Sequence, residues 1–177
     1  MNYAEALHIA EKLKADLAPY CERVEIAGSI RRRKQTDIKD IEIVCIPKRW
    51  FSGFGWTETL SESFLDDAFP SLIKEWGAKC IKNGGKYKQV ELPWSKLDLF
   101  ITTPECWGVI FAIRTGPADY SKWLVTPRKW GGALPDRYMV RDGRVWDSDP
   151  EALDTPEEDD FFAALELEMP EPWERTR

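Results

Sequence analysis

Residues 27–44 read Ala27-Gly28-Ser29-Ile30-Arg31-Arg32-Arg33-Lys34-Gln35-Thr36-Asp37-Ile38-Lys39-Asp40-Ile41-Glu42-Ile43-Val44. A turn of small residues at Gly28 and Ser29 leads into four consecutive basic residues. The stretch ends in a run of branched apolar residues, typical of a β-strand, in which Asp40 and Glu42 lie two positions apart. Because residues i and i+2 of a strand point to the same face, the two carboxylates are predicted to project together.

Two neighbouring carboxylates on an apolar strand repel each other unless a divalent cation lies between them. The preceding turn has the features of a phosphate site, because glycine lets backbone N–H groups approach an anion and serine adds a hydroxyl donor. Arg31, Arg32 and Arg33 add positive charge. The alternative is a surface turn followed by a solvated strand edge. The two features in this order favour phosphate and metal chemistry over that alternative.

The chain has 177 residues, 43% of them hydrophobic, which predicts a packed core in one domain or two small lobes. Four dispersed cysteines and a single histidine, His8, lack the ligand spacing of a zinc site, and His8 is expected to be an exposed helix residue. A bound metal is therefore expected to be a hard, oxygen-liganded ion such as Mg²⁺. No apolar run is long enough to span a bilayer and no signal peptide is visible, so we expect a cytoplasmic protein without a membrane partner.

The net charge of −6 is unevenly distributed. Residues 147–177 carry 12 acidic and 2 basic side chains, whereas residues 1–146 carry 23 basic and 19 acidic ones. A mildly basic body permits weak, salt-sensitive binding to a nucleic-acid backbone but does not require it.

Periodicity and turn residues predict both helices and strands, and therefore an α+β fold. Asn2 is a predicted helix cap, Pro70 is expected to bend or split its helix, and Thr155 is predicted to start the last helix. An aromatic-rich loop over residues 47–58 is expected to pack on the core or to stack on bases. Helices are predicted over residues 3–17, from 59 or 61 to 76, 105–114 and 118–125; strands are predicted over 79–82, 87–92 and 96–102, with a hairpin around Asp142-Gly143.

Asp98 lies between Leu97 and Leu99 on the last of the three strands. A charged residue between apolar neighbours on a core strand is costly unless it is paired or bound to a metal. We interpret Asp98 as the third carboxylate of the Asp40 and Glu42 site. An exposed aspartate at a strand end is the alternative that the pattern leaves open.

The stretch at residues 27–44 resembles the nucleotidyltransferase superfamily signature, in which Gly-Ser opens a helix and an acidic-x-acidic pair follows on a strand. The Arg-Arg pair after Gly-Ser is similar to the DNA polymerase X family, the polymerase beta relatives. The resemblance extends over nearly the whole chain. It includes the strand pair over residues 85–100, the helix over 107–116 that ends in Thr-Gly, and the Thr-Pro-Glu-Glu helix with the ending at 170–175.

This resemblance implies a nucleotidyltransferase palm in residues 1–103, with a mixed β-sheet and helices on one face, and a small α/β thumb in residues 104–177. It implies a gap-filling or repair DNA polymerase that adds deoxynucleoside monophosphates to a DNA 3′-hydroxyl. Two Mg²⁺ ions are the expected cofactors, and Mn²⁺ is the expected substitute. The expected partners are gapped or primer–template DNA and a nucleoside triphosphate. The expected state is a monomer of viral or prokaryotic origin.

The resemblance also implies individual roles. Asp40, Glu42 and Asp98 are the expected catalytic residues and metal ligands. The expected nucleotide-binding residues are Gly28, Ser29, Arg31, Arg32, Lys39, Arg114, Thr115 and Gly116. The expected DNA-binding residues are Lys96, Arg128 and Lys129. In the family, the peptide bond after the glycine of the Thr-Gly motif is cis, so the Gly116–Pro117 bond is predicted to be cis. For an X–Pro bond the cis form costs only ~0.5–1 kcal/mol relative to trans.

The sequence also departs from the family pattern. Glu42 stands where the family usually has aspartate, Ile113-Arg114 replaces an aromatic pair, and Ser121 occupies the place of an expected asparagine. The lyase and hairpin DNA-binding lobes are not found in these 177 residues. Two alternatives therefore stay open: a nucleotidyltransferase acting on RNA, a small molecule or a protein, and a binding module without catalytic activity.

Overall fold

The computed structural model describes residues 1–51, 61–147 and 152–177. Helices and strands are mixed along these ranges, so the predicted α+β class is confirmed. The helices are α1 (Tyr3–Leu17), α2 (Gly28–Arg31), α3 (Phe64–Glu75), α4 (Trp107–Thr115), α5 (Ala118–Leu124) and α6 (Glu158–Ala164). The strands are β1 (Cys21–Ile26), β2 (Asp40–Pro47), β3 (Arg49–Phe51), β4 (Ser61–Ser63), β5 (Lys79–Asn83), β6 (Tyr87–Glu91), β7 (Lys96–Ile101), β8 (Met139–Arg141), β9 (Arg144–Trp146) and β10 (Ala152–Leu153).

The main sheet has five strands in the order β1-β2-β7-β6-β5. β2 and β7 run parallel, and the other neighbouring pairs are antiparallel. A parallel pair requires a crossover connection, which α3, β5 and β6 supply between β2 and β7. The two strands that carry the predicted acidic residues are thus neighbours in the middle of the sheet.

The two faces of this sheet have different partners because side chains alternate along each strand. One face packs its branched residues, such as Ile41, Ile43, Leu97 and Leu99, against α1 and α3 in the largest buried cluster. On the opposite face, Val44 packs with Trp107 and Phe111 of α4 in a smaller cluster. This second face also carries the alternate polar residues of β2 and β7.

The C-terminal part of the chain has its own buried cluster. Helices α4, α5 and α6 pack with the three-stranded sheet β10-β9-β8 around residues such as Val109, Phe161 and Leu165. The predicted turn Asp142-Gly143 joins β8 to β9, and both of its residues have positive φ angles of 56° and 82°. These angles are the ones that a two-residue hairpin turn requires.

Several predicted boundaries are confirmed to within a residue or two. α1 begins after Asn2, whose side chain accepts a hydrogen bond from Glu5 N–H in a capping box. The strands at 79–83, 87–91 and 96–101 match their predicted ranges, and His8 is exposed on α1. Local capping and alternation thus decide these elements.

Other boundary predictions were wrong. α3 continues through Pro70, so Pro70 does not split it, and α3 begins at Phe64 after an N-cap at Ser63. The last helix begins at Glu158, with Glu157 as its N-cap, rather than at Thr155. The Thr155 N–H instead donates to the Glu105 carbonyl, and the Thr155 carbonyl accepts from the Gly108 N–H. These hydrogen bonds attach the backbone of Thr155 to the start of α4.

The predicted cis bond at Gly116–Pro117 is also wrong, since the described residues contain no cis peptide bond. Gly116 and Pro117 both have extended backbones, with ψ angles of 155° and 161°. In the trans form Pro117 serves as the N-cap residue of α5, and its carbonyl accepts the N–H of Ser121 at 2.9 Å. The trans form is also the lower-energy one for an X–Pro bond.

The aromatic loop predicted over residues 47–58 is described only in part. β3 and β4 form a hairpin, and Trp50 contacts Phe64 with ring centroids 4.4 Å apart. Residues 52–58 lie outside the described residues, so base stacking by that segment stays a prediction. Of the described helices, none has the length and apolarity of a membrane crossing.

Candidate functional site

Three carboxylates lie on the second face of the main sheet, and we call Asp40, Glu42 and Asp98 the acid row. Glu42 on β2 pairs directly with Asp98 on β7. Asp40, two residues before Glu42 on β2, pairs with Lys96. Adjacent strands are roughly 4.8 Å apart, and residues i and i+2 are roughly 7 Å apart. The backbone therefore brings all three carboxylates to one small area, and Asp98 is not an exposed residue at a strand end.

Gly28 makes room for Glu42. The φ angle of Gly28 is +61°, and a Cβ added there would lie 1.9 Å from Glu42 Oε2. The backbone of Gly28 thus packs directly on the Glu42 carboxylate, which only glycine permits in this conformation. The Gly-Ser turn and the acid row consequently form one continuous site.

The acid row is electrostatically strained in the absence of a cation. Burial raises the pKa of Glu42 to about 7, and the charges of Asp40 and Asp98 add to that rise. The guanidinium groups of Arg32 and Arg114 oppose it. A carboxyl pKa raised by burial and by like charges is typical of functional sites, because a bound cation relieves both costs.

Two arginines come to the acid row from different elements. Arg32 follows α2 and donates a hydrogen bond to the carbonyl of Thr115. Burial lowers the pKa of Arg32, while Glu42 and Asp40 oppose that shift. Arg114 on α4 lies 4.0 Å over the Phe100 ring. Both cations can face an anion bound at the acid row.

Asp98 is oriented by two neighbours on β6. The Tyr87 hydroxyl donates to Asp98 Oδ1 at 2.5 Å, and the Gln89 side-chain amide donates to the same oxygen at 2.9 Å. Among the described residues, no side-chain hydrogen bond reaches Asp98 Oδ2 or the carboxylate of Asp40. Unsatisfied carboxylate oxygens are the ligands that Mg²⁺ prefers.

The donor set of the acid row, three carboxylates, fits a hard divalent ion in its chemistry. As the side chains stand, no three acidic, histidine or cysteine side chains of the described residues are gathered tightly enough to enclose an ion. Glu42 lies toward Gly28 and Asp98 toward Tyr87, which keeps the mutually repelling carboxylates apart. A cation would remove that repulsion and allow them to approach.

The raised pKa of Glu42 predicts an unusual pH dependence of stability. Between pH 4.5, the usual value, and about 7, the folded protein binds a proton at Glu42 that the unfolded chain does not. Without divalent ions, stability should therefore fall as the pH rises through this interval. After discounting for partial exposure, the expected loss is about 1–2 kcal/mol between pH 5 and pH 8. Urea unfolding in EDTA measures it.

Glu42→Gln should remove this loss, because the amide does not ionise. Glu91→Gln, which changes an exposed carboxylate on β6, should keep the wild-type pH profile. Equal slopes for the wild type and Glu42→Gln would contradict the strained acid row.

Arg31 does not point to the acid row. Its guanidinium pairs with Glu158 Oε2 at 2.5 Å, donates to Thr115 Oγ1 at 2.6 Å and lies 3.8 Å over the Phe111 ring. These contacts engage Arg31 between α2 and the C-terminal helices. We therefore assign it a structural role, and its predicted nucleotide contact stays a prediction.

The other predicted site residues divide into two groups. Ser29 is half-buried beside Gly28, Lys39 and Lys96 are exposed next to Asp40, and Gly116 follows the buried Thr115. Ser29, Lys39 and Lys96 thus border the acid row, whereas Gly116 is related to it only through the Thr115 carbonyl, which accepts from Arg32. Arg128 and Lys129 belong to a separate short turn, where Arg128 pairs with Glu166 at 2.8 Å and Lys129 lies over Trp130 at 4.8 Å. None of their printed contacts joins them to the acid row.

Two sets of residues that contact predicted site residues were not predicted from the sequence. Tyr87 and Gln89 could have been found, because the turn after Leu92 pairs the predicted strands so that Gln89 lies opposite Asp98. Glu158 and Arg175, which meet at 2.7 Å in the interior, had no comparable signal. Their partner Arg31 lies 127 residues before Glu158, and no local pattern relates such distant positions.

A cavity of about 750 Å³ adjoins the acid row. Tyr87, Phe100 and Arg114 belong to both the cavity wall and the site. Residues of helix α4 and of the Asp142-Gly143 turn also line the cavity, and Asp142 pairs with Lys86 at 2.9 Å. Its size is in the range of small-molecule sites, roughly 300–1,000 Å³.

No protein-family model matches the chain, and no curated protein matches it.

Proposed function

We propose that this protein is a nucleotidyltransferase of the DNA polymerase X type, which adds deoxynucleoside monophosphates to a DNA 3′-hydroxyl. One observation carries the proposal. Asp98 lies directly opposite Glu42 on the adjacent parallel strand, and Asp40 lies two residues before Glu42 on the same face. The backbone of the Gly28 turn packs on Glu42. Three carboxylates beside a phosphate-compatible turn are the parts that metal-assisted phosphoryl chemistry requires.

Asp40, Glu42 and Asp98 would hold the Mg²⁺ ions. Bound Mg²⁺ supplies Lewis-acid stabilisation of the attacking and leaving oxygens and favours deprotonation of the attacking hydroxyl. The chain itself positions the substrates and balances charge. Glu42, with its pKa near 7, must release its proton before it can act as a ligand at lower pH.

Arg32 is the cation best placed for the triphosphate. Its guanidinium now donates to the Thr115 carbonyl, a neutral acceptor. A phosphate oxygen is a stronger, charge-assisted acceptor, so a bound triphosphate would compete successfully for Arg32. Ser29, beside the Gly28 turn, adds a hydroxyl donor.

A second acceptor class is also supported by one observation. Arg128, predicted to contact DNA, is engaged by Glu166 and by the carbonyls of Leu165 and Ala133. This weakens the argument for a duplex bound along that turn. The same chemistry directed at RNA, a small molecule or a protein is therefore the second candidate.

The test is a transfer assay with labelled nucleoside triphosphates and several acceptors. Purified full-length chain with Mg²⁺ or Mn²⁺ is offered gapped DNA, primer–template DNA, single-stranded DNA and RNA. Extension of the gapped or primed DNA supports the proposal, and extension of RNA alone supports the second candidate.

The control variant for this assay is Asp67→Asn, which removes an exposed carboxylate on α3 away from the acid row. Its activity should equal that of the wild type. Absence of transfer to every acceptor, together with no Mg²⁺-dependent nucleotide binding by calorimetry, would indicate a non-catalytic binding module instead.

A further inference from the structure

The two hydrogen bonds to Asp98 come from a single strand. Gln89 is the direct cross-strand partner of Asp98, and Tyr87 pairs with the next residue on the same face, Phe100. Both donors reach the same oxygen, Oδ1. The second oxygen, Oδ2, accepts no hydrogen bond from the described residues. The carboxylate is thus held with one oxygen occupied and the other available.

The Tyr87 ring is itself restrained by its neighbours. It stacks on Phe100 with ring centroids 5.2 Å apart and an interplanar angle of 26°. Arg114 lies on Phe100 at 4.0 Å, and the Lys82 ammonium lies 5.4 Å from the Tyr87 centroid. Cation–π contacts and aromatic stacking restrict the ring, so its hydroxyl has little freedom to leave Asp98.

From this geometry we propose that Tyr87 and Gln89 are positioning residues, which orient Asp98 so that its free oxygen Oδ2 meets a divalent metal ion. The inference rests on the proposed function, since it requires Asp98 to be a metal ligand. Outer partners that orient a metal ligand typically contribute roughly 10–100-fold to metal affinity or activity.

Tyr87→Phe and Gln89→Met test the inference, because each keeps the side-chain volume and removes the donor. Mn²⁺ alone is the probe, and its binding to the full chain is followed by electron paramagnetic resonance of the free ion without nucleotide. We expect Tyr87→Phe to weaken Mn²⁺ binding roughly tenfold, Gln89→Met to weaken it less and the double variant to weaken it most.

Transfer activity supplies a readout that a purely structural role would not change. If Tyr87 acts through the metal ligand, raising the Mn²⁺ concentration should restore most of the rate of Tyr87→Phe. The midpoint of thermal unfolding in EDTA should stay close to that of the wild type.

Tyr138→Phe is the matched control, since its hydroxyl accepts a hydrogen bond from Arg137 at 2.8 Å in the C-terminal cluster. It should bind Mn²⁺ as the wild type does. Wild-type Mn²⁺ binding by Tyr87→Phe, with loss of binding in Asp98→Asn, would overturn this inference and leave the proposed function intact. Wild-type binding by Asp98→Asn would overturn both. Equal losses in Tyr87→Phe and Tyr138→Phe would show a general structural effect and reject the positioning role.

Discussion

Replacement of Asp98 by asparagine is expected to abolish nucleotidyl transfer while leaving the fold intact. The amide keeps the shape and an acceptor oxygen for Tyr87 and Gln89, so the β6–β7 contacts are retained. It removes the negative charge that a metal ion needs. Metal ions supply several kcal/mol of transition-state stabilisation, and each 1.36 kcal/mol or so is a factor of ten, so the rate should fall roughly a thousandfold or more.

Primer extension with a labelled deoxynucleotide measures the loss, and thermal unfolding without divalent ions measures the fold. The midpoint should not fall, because removing one charge relieves the repulsion on Glu42. Primer extension at the wild-type rate by Asp98→Asn would refute the acid row as the catalytic site.

The largest expected effect on stability comes from Glu158→Ala. Glu158 is only 6% exposed and pairs with Arg31 at 2.5 Å and with Arg175, which is completely buried, at 2.7 Å. Removing one partner leaves buried guanidinium charge without its counter-ion, which typically costs about 3–5 kcal/mol. For a chain of this size that corresponds to a fall of roughly 6–20 °C in the midpoint of thermal unfolding.

Glu25→Ala is the control, because Glu25 pairs with Lys14 at the same short distance of 2.7 Å but both side chains are more than 30% exposed. Exposed pairs contribute about 0–1 kcal/mol, so this variant should unfold almost as the wild type does. Equal midpoints for the wild type and Glu158→Ala would contradict a buried ion cluster.

The same cluster predicts a pH dependence opposite to that of Glu42. Burial raises the pKa of Glu158, but hydrogen bonds from Arg31 and Arg175 outweigh burial and leave that pKa below 4.5. The stability that Glu158 contributes is therefore present above pH 4.5 and is lost as the pH falls through the folded-state pKa. The difference between the wild type and Glu158→Ala should shrink in that range.

Local patterns were sufficient for most of the secondary structure. The capping box at Asn2, the alternation on the strands and the Asp142-Gly143 turn are short-range features, and the elements that they predict are present. The start of the last helix was predicted wrongly because a contact distant in the chain fixes the backbone there. Thr155, for example, is held by Glu105 across 50 residues.

The candidate site was predictable in part for the same reason. A strand that carries Asp40 and Glu42 must present both on one face, whatever surrounds it. The destination of Arg31 was not predictable, because nothing near it in the sequence distinguishes it from Arg32. Arg31 pairs with Glu158 of α6, whereas Arg32 lies beside the acid row.

The amino-acid sequence alone determined the α+β class, the common face of residues 40 and 42, and the glycine turn before them, because alternation and turn chemistry act over a few residues. Only the tertiary structure decided that β7 lies beside β2 in the register that sets Asp98 against Glu42, and that β6 brings two donors to Asp98. The physical reason is that strand register and buried ion pairs depend on packing between segments far apart in the chain, where no short-range preference acts.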